Sequence, residues 1–411
     1  MAEAAADLFA RRLPLHEAAR LANALWMSIV FGCLALAARR AWPQSAHAGA
    51  TAVLILMGSF GLVLHAHLLV VDVALLAGFA VALLGFATLA DRPIWGGILL
   101  GTGAGMGFLA KGLLAPGCLG LTALVMPVLF RTWRTRSYAR ALALAFLACL
   151  PWVSIWPAAL YLRAPDLFNE WFWQQNLGRF FGFADLGASP EPWYYAKTLP
   201  WFAFPALPFA AWAVWRRQAG WRDDRPLQLC VVLTMVIVAA LSVAGSMRAL
   251  YLLPALLPMS LLAAAEAASL PGKLQHRLAV TGYALFGLAA IALWGLCLVI
   301  AVTGSPPAWL PFGNWLPLEF EPRAKPLVVV LAAVATISWA LVCPHVVRGR
   351  IASVVTCALG VTIVWLLLAT LWMPWTIDRE VVVANDELGL QQLTHIYGYD
   401  GRENVHVYCS P

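Results

Sequence analysis

The chain has 411 residues, of which 62% are hydrophobic and 11% are charged, and its mean hydropathy is +0.79. A soluble protein of this length does not hide so much apolar surface, so the composition indicates a polytopic membrane protein. The pI of about 9.1 would suit a nucleic-acid partner, but the cations lie between apolar segments, as in membrane proteins. We therefore expect no nucleic-acid partner. Seven of the eight cysteines lie in or beside apolar runs, which excludes a disulfide framework.

Twelve apolar segments predict about twelve transmembrane helices and therefore an all-α fold. They cover approximately residues 20–38, 50–66, 71–90, 94–110, 113–130, 141–160, 198–215, 227–244, 250–268, 279–302, 326–343 and 351–373. Several of them are short or closely spaced, so partial or re-entrant spans stay open.

Threading these segments across a membrane sorts the connections into two sets. The cations of short loops fall into one set, which the positive-inside rule makes cytoplasmic. They are Arg39, Arg40, Arg92, Arg131, Arg134, Arg136, Arg140, Arg216, Arg217, Arg222, Arg225, Lys273, Arg277, Arg348 and Arg350. The loop 161–200, the loop 303–325 and both termini are then extracytoplasmic.

The residues at both ends of the sequence allow a prediction about the domain organisation. The N-terminal residues form no signal peptide although they start outside, so we expect an upstream segment that is absent here. Residues 1–373 form the predicted transmembrane domain. Residues 374–411 read as strand, helix and strand, and they are short to fold alone, so we expect the start of a small extracytoplasmic α/β domain that continues further.

The loop 161–200 is the longest polar stretch between predicted spans. Its part LFNEWFWQQNLGRFFGF puts aromatic side chains on overlapping helical faces, which predicts an interfacial helix at the membrane surface. The side chains placed on these faces are Phe168, Trp171, Phe172, Gln175 and Arg179. A plain membrane anchor and a loop that shapes a substrate site are both compatible with this pattern.

Asp72 and Lys111 are charged residues at the ends of apolar segments on the extracytoplasmic side, where each charge is costly. Four interpretations of Asp72 are open: it caps a helix, it binds a metal together with His67, it orients a substrate hydroxyl, or it acts as a base. Lys111 either extends its ammonium group to the interface or binds a lipid phosphate. The glycines before Lys111 do not have phosphate-loop spacing and predict close helix packing instead.

A third candidate lies in the sequence AGSMRALYLLPALLP. Arg248 and Tyr251 are predicted to share one face of a helix start, and both side chains can donate to a phosphate. Pro254 and Pro258 predict a kinked helix that lines a cavity. Membrane anchoring is the alternative for both residues. Together with Asp72, Lys111 and Arg179 they describe a site on one side of the membrane that suits a phosphate-bearing lipid.

The ordered set VVDVALLAGF, GTGAGMGFLAKG, APDLFNEWFWQQNLGRFFG, PEPWYYAK and SVAGSMRALYLLP resembles the bacterial lipid A aminoarabinose transferases. These are grouped with the protein O-mannosyltransferases in the GT-C class of polyprenyl-phosphate-dependent glycosyltransferases. The resemblance covers approximately residues 15–270, and it implies an inner-membrane enzyme with a periplasmic active site.

The resemblance also implies roles for particular residues. Asp72 matches an acidic residue of the family, with Val73 in place of the usual proline, and Lys111 matches the lysine of a Thr-Lys-Gly motif, with Ala110 in place of threonine. Trp193, Tyr194 and Tyr195 match a Trp-Tyr-Tyr motif. Arg248 and Tyr251 fall where the family has a basic residue and a tyrosine that face the lipid phosphate.

An Asp-Glu pair of the family's first extracytoplasmic loop has no counterpart in this sequence, and we expect the main catalytic base to lie on that absent loop. The implied reaction moves a sugar from undecaprenyl phosphate to lipid A, another glycan or a protein, with inversion at the anomeric carbon. No cofactor is evident, although the resemblance allows a divalent cation. A lipid flippase or transporter and an inactive paralogue are the alternatives.

Overall fold

The structure is a computed structural model that describes residues 15–68, 70–178, 181, 191–303 and 326–372. All regular elements in these ranges are helical, and they form two compact units, one ending at Gln275 and one beginning at His276. Nine helices of the described ranges are long and apolar enough to cross a membrane. The predicted all-α, multi-pass membrane fold is therefore confirmed, whereas the count of twelve spans stays a prediction.

The described residues of the first unit contain twelve α-helices. In chain order they are α1 (Leu15–Ala41), α2 (Ala48–Met57), α3 (Phe60–His65), α4 (Val71–Thr88), α5 (Pro93–Lys111), α6 (Leu114–Leu129), α7 (Arg136–Arg163), α8 (Pro165–Asn169), α9 (Tyr194–Phe202), α10 (Ala206–Arg217), α11 (Arg225–Ser242) and α12 (Leu256–Glu266). A 3₁₀ helix, Ala249–Ala255, leads into α12, as the predicted kink at Pro254 requires.

The almost wholly buried helix α4 packs closely against α5 because both helices carry glycines at their contact. A Cβ atom added to Gly78 would lie 2.7 Å from the carbonyl oxygen of Gly103 and 2.7 Å from the amide nitrogen of Gly107. Only hydrogen fits in this space. The predicted role of the glycines in helix packing is confirmed, and this contact fixes the register of the hairpin that carries Asp72 and Lys111 at one end.

Three of the twelve predicted spans correspond to shorter helices. Residues 113–130 form α6, whereas residues 50–66 and 198–215 are each broken into two pieces. The two breaks bind each other, because the Phe60 amide donates to the carbonyl oxygen of Phe204 at 3.0 Å and the two phenyl rings stack. Phe202 packs directly on Gly61. The Phe60 amide and the Phe204 carbonyl at the breaks are thus satisfied inside the protein.

The predicted interfacial helix of the loop 161–200 has a different geometry from the one expected. The helix α8 continues as a π-helix over Glu170–Gly178, which shifts the faces that a 3.6-residue period would give. The contacts among Phe168, Trp171 and Phe172 nevertheless form, with ring centroids 5.8 to 6.2 Å apart. Arg179 and residues 182–190 lie outside the described residues.

The second unit contains α13 (Gly272–Thr303) from His276 onward, α14 (Pro326–Val346) and α15 (Ala352–Leu367), which ends in a π-helical turn at Leu368–Trp372. These helices pack around small apolar clusters, and the indole of Trp294 donates to Thr336 Oγ1 at 3.2 Å. The predicted domain boundary at residue 374 and the α/β tail lie outside the described residues and stay predictions.

Candidate functional site

Asp72 and Lys111 form a largely buried salt bridge. Asp72 lies in the first turn of α4 and Lys111 in the last turn of α5, and the ammonium donates to Asp72 Oδ1. The exposed fractions of the two side chains are 6% for Asp72 and 19% for Lys111. An acid at a helix N-terminus and a base at a helix C-terminus also complement the two helix dipoles. The structure therefore brings together two residues that the sequence placed far apart in the chain.

Tyr251 completes this cluster. Its ring lies under the Lys111 ammonium, with Nζ 3.5 Å from the ring centroid, which is a cation–π contact. Tyr251 is buried in the 3₁₀ helix Ala249–Ala255, and Pro254 is part of the same helix. Lys111 thus has a carboxylate on one side and an aromatic face on the other.

Arg248 lies directly before the 3₁₀ helix that carries Tyr251, and the shared face predicted for the two side chains stays a prediction. Arg248 precedes the 3₁₀ helix in an extended conformation, with φ −142° and ψ 143°, and its carbonyl oxygen accepts from the Tyr251 amide at 3.1 Å. The proline that follows favours a tight 3₁₀ start over an α-helical turn. The guanidinium of Arg248 forms no salt bridge with any residue of the described ranges.

Tyr195 links α9 to the segment that carries Arg248. Its hydroxyl lies 3.4 Å from both the carbonyl oxygen and the amide nitrogen of Arg248, so it donates to the first and accepts from the second. Burial raises the pKa of the Tyr195 phenol, and nearby Tyr251 and Tyr194 add to this increase while the Arg248 backbone opposes it. The hydroxyl therefore stays protonated at neutral pH. Tyr194 packs edge-on against Tyr195.

A cavity of about 420 Å³ opens beside this cluster. Lys111, Tyr251, Gln175, Asn176 and Ser246 contribute polar groups to its wall. The other lining residues are mainly apolar and include Leu113, Leu114, Gly117, Cys118, Leu121, Leu177, Ala240, Leu241 and Ala244. A cavity with a few polar groups and a long apolar wall suits an amphipathic ligand that has a polar head and a hydrocarbon chain.

The π-helical segment is anchored beside Lys111 by Asn176. Asn176 Nδ2 donates to the Trp171 carbonyl at 2.9 Å, and Asn176 Oδ1 accepts from the Leu113 amide at 3.4 Å. Gly112 ends α5 with φ 62° and ψ −137°, a conformation that suits glycine, and a Cβ atom there would overlap the Asn176 amide. The loop 161–200 thus contributes to the cavity wall, as the substrate-shaping interpretation of this loop expects.

The surroundings of Asp72 bear on the suggested metal site. The Lys111 ammonium binds one of the two carboxylate oxygens of Asp72, Oδ1. No group of three His, Cys, Asp or Glu side chains comes together in the described ranges. His67, the other suggested ligand, lies half-buried in the turn that follows α3.

Two polar residues at or beside the site, Asn23 and Ser246, were not predicted from the sequence. Asn23 in α1 is buried, and its amide donates to the Leu68 carbonyl at 2.6 Å, which fixes the turn before Asp72. Ser246 lines the cavity and is buried. The polar Asn23 inside an apolar segment was a usable signal, whereas a serine in a turn gives none.

A larger cavity of about 840 Å³ lies at the opposite end of α4. Arg217 lines this cavity and forms salt bridges from Nε to Asp224 Oδ2 at 2.7 Å and from Nη1 to Glu266 Oε1 at 3.1 Å. Its guanidinium carbon also lies 4.6 Å from the centroid of the Trp42 ring, which is a cation–π contact. Burial lowers the pKa of the Arg217 guanidinium, but the hydrogen bonds and charges of the two acids outweigh this effect and raise it. Arg217 thus stays charged within a fully paired network.

Sequence comparison finds relatives among enzymes named undecaprenyl phosphate-α-4-amino-4-deoxy-L-arabinose arabinosyl transferase. The protein of Serratia proteamaculans is 29% identical over 277 residues, which are 64% of this chain and 45% of that protein. The protein of Yersinia pestis is 32% identical over 243 residues, which are 53% of this chain and 41% of that protein. The chain therefore spans less than half the length of the curated relatives it matches. No family model matches the chain.

Structure comparison finds the same fold in ArnT from Cupriavidus metallidurans. The crystal structure bound to undecaprenyl phosphate has a TM-score of 0.65 and 22% sequence identity, and covers 90% of this chain and 66% of that chain. The apo structure has a TM-score of 0.61 and 23% identity, covering 87% and 64%. The resemblance to the aminoarabinose transferases of the GT-C class, read from the sequence motifs, is confirmed by these relatives.

Proposed function

We propose, from this relationship to the aminoarabinose transferases, that the protein is a membrane glycosyltransferase that takes a sugar from an undecaprenyl-phosphate donor. The acceptor is lipid A or another component of the cell envelope. One observation carries the proposal: the Lys111–Asp72–Tyr251 cluster lies at a polar wall of a cavity of about 420 Å³ that is otherwise mainly apolar. A polyprenyl phosphate has the anionic head and the hydrocarbon chain that such a cavity accommodates.

Lys111 and Tyr251 are the residues that bind the donor phosphate in this proposal. Both line the cavity, and Lys111 supplies a positive charge in a setting with little water. Asp72 is a positioning residue, because its carboxylate holds the Lys111 ammonium through the salt bridge. This contact favours a role of Asp72 in orienting Lys111 over the alternative role of a base.

Arg248, held by Tyr195 and Tyr194, is also assigned to the donor phosphate. Tyr195 stays protonated and holds the Arg248 backbone through its hydroxyl, and Tyr194 packs against Tyr195. We assign the guanidinium of Arg248 to the phosphate as a second cation, and Arg179 to the same headgroup as a third, because its loop is predicted to lie on the same side of the membrane. These cations complement the negative charge that a phosphate monoester leaving group acquires.

The chemical step is a displacement at the anomeric carbon of the sugar. The acceptor oxygen forms a bond to this carbon, while the bond from the carbon to the phosphate oxygen breaks and its electron pair stays on undecaprenyl phosphate. The proton of the acceptor leaves to a base. Negative charge develops on the phosphate during this step, so cations placed there in advance lower the barrier.

The orientation in the membrane follows from the charge distribution. We place the Lys111 end of α4 on the periplasmic side of the bacterial inner membrane, together with the loop 161–200, because the short loops rich in arginine lie at the opposite end. Residues 1–373 then form the transmembrane domain, and residues 374–411 lie on the periplasmic side.

The test replaces the buried ion pair as a unit, so that no charge is left unpaired. In the double variant Asp72→Asn/Lys111→Met, we expect affinity for undecaprenyl phosphate to fall roughly tenfold to a hundredfold, as for lost hydrogen bonds to a charged group. Transfer of labelled aminoarabinose from undecaprenyl phosphate to lipid A, measured in membranes that contain the protein, should fall at least as much.

The matched control is the exposed ion pair of the same loop region. The double variant Glu191→Gln/Lys197→Met removes a salt bridge of 2.5 Å between two exposed side chains and should leave binding and transfer unchanged. Full transfer by Asp72→Asn/Lys111→Met would refute the assigned site. Movement of the lipid across proteoliposome membranes without any sugar transfer would instead support the flippase alternative.

A further inference from the structure

We propose that Ser246 is a further binding residue for the donor lipid, whose hydroxyl donates a hydrogen bond to an anionic phosphate oxygen in the cavity beside Lys111. This inference rests on the proposed function and adds a neutral donor to the cations already assigned. It arises from the burial and hydrogen bonding of Ser246 in this structure.

The hydroxyl of Ser246 is a buried polar group without a partner. The residue is only 4% exposed, and its Oγ atom has no hydrogen-bond partner among the described residues. Leaving a buried hydroxyl unsatisfied costs about 1–3 kcal/mol. Other serines within the described helices, such as Ser28, Ser154 and Ser242, instead donate to the carbonyl oxygen four residues earlier.

Ser246 lies in the turn that connects α11 to the 3₁₀ helix of Tyr251. It lines the same cavity as Lys111 and Tyr251, and the apolar residues Leu241 and Ala244 extend the wall beside it. A ligand that follows this wall with a hydrocarbon chain therefore passes from apolar residues to Ser246, Lys111 and Tyr251. These three residues are the polar lining that its polar end meets there.

A phosphate group has the chemistry that satisfies such a hydroxyl. Its oxygens accept several hydrogen bonds, whereas the Lys111 ammonium is already shared with Asp72 and the Tyr251 ring. A serine hydroxyl is a donor that needs no countercharge, so it binds an anionic oxygen without adding to the positive charge of the site. The vacant hydrogen-bonding capacity of Ser246 is thus explained by the bound state.

The test compares Ser246→Ala with Ser260→Ala in the purified protein in nanodiscs. Ser260 lies in α12, is also buried and also has no partner for its Oγ atom among the described residues, but it does not line the cavity. We expect Ser246→Ala to weaken binding of undecaprenyl phosphate at least tenfold, as for a hydrogen bond to a charged group. Ser260→Ala should bind with the affinity of the wild type.

Thermal unfolding without lipid separates binding from structure. Replacing a hydroxyl that has no hydrogen-bond partner breaks no hydrogen bond. The Tm of both variants should therefore equal or exceed that of the wild type. A lower Tm for Ser246→Ala in the absence of lipid would mean that the hydroxyl has a structural role, and this would overturn the inference.

Three ligands identify the group that Ser246 recognises. Undecaprenyl phosphate should discriminate between wild type and Ser246→Ala, whereas undecaprenol, which lacks the phosphate, should not. Discrimination with inorganic phosphate alone, and none with the lipid, would overturn the lipid assignment. Equal affinities of wild type and Ser246→Ala for undecaprenyl phosphate would refute this inference only, whereas a wild type that does not bind the lipid would refute the proposed function itself.

Discussion

Asp72 and Lys111 are more buried than the other salt bridges of the described ranges, and their pairing has a measurable consequence for stability. Replacing one member, as in Asp72→Asn or Lys111→Met, leaves the other charge buried without its partner. We expect each single variant to lower the free energy of unfolding by about 3–5 kcal/mol. The double variant should lose clearly less than the sum, measured as a double-mutant cycle by unfolding in detergent.

The exposed pair Glu191–Lys197 provides the control for this cycle. Its two single variants should each change the free energy of unfolding by less than about 1 kcal/mol, because solvent screens the charges. Strict additivity of the Asp72 and Lys111 variants would show that the two side chains do not interact in the folded protein.

Single residues could be predicted from the sequence where their burial is costly. Asp72 and Lys111 were identified because charges at the ends of apolar segments need a reason, and the structure pairs them. The 3₁₀ helix that carries Tyr251 was not predicted, because the sequence indicates a kink at Pro254 but not the type of helix before it. Ser246 was missed because the sequence does not reveal that its turn is buried.

At the scale of helices, the glycine contact between α4 and α5 determines how the site is assembled. We expect Gly78→Ala to lower the free energy of unfolding by about 1–3 kcal/mol, because its methyl group meets the backbone of Gly103 and Gly107, which has no side chain to move. The variant should also weaken lipid binding, since separating the two helices moves Asp72 away from Lys111. Thermal unfolding and lipid titration measure the two effects.

Gly120→Ala is the matched control for this substitution. Gly120 lies in α6, where a Cβ atom would meet nothing within 4 Å. The alanine should leave stability unchanged or raise it by up to about 1 kcal/mol, because it restricts the unfolded chain. A similar loss of stability in both variants would show that the effect comes from replacing glycine and not from the helix contact.

Helices were predicted well from hydropathy wherever one helix continues through an apolar segment, as in Val71–Thr88 and Arg225–Ser242. Hydropathy does not locate the breaks after Met57 and after Phe202, because Gly58 and Ser59 in one case and Pro205 in the other are too few to end the apolar segment. The hydrogen bond from Phe60 to Phe204 joins segments that are distant in sequence, and it stabilises both breaks. Only tertiary contact determines where such helices end.

At the scale of the first unit, two polar regions lie at opposite ends of the buried helix α4. The 18 residues of Val71–Thr88 span about 27 Å at 1.5 Å per residue. The Lys111 cluster lies at one end, and the network of Arg217, Asp224 and Glu266 lies at the other. Sites so far apart with no shared partners have nearly additive effects, so stability and lipid binding should be separable.

Arg217→Ala tests this separation. It leaves Asp224 and Glu266 without their shared cation, and it removes the stacking on Trp42, so the free energy of unfolding should fall by about 2–4 kcal/mol, between the values for exposed and buried pairs. The dissociation constant for undecaprenyl phosphate should change by no more than about twofold. Lys111→Met, as the comparison, should weaken lipid binding at least tenfold. A tenfold loss of lipid affinity in Arg217→Ala would instead mean that the two ends of α4 are coupled, and the Arg217 network would then belong to the substrate site.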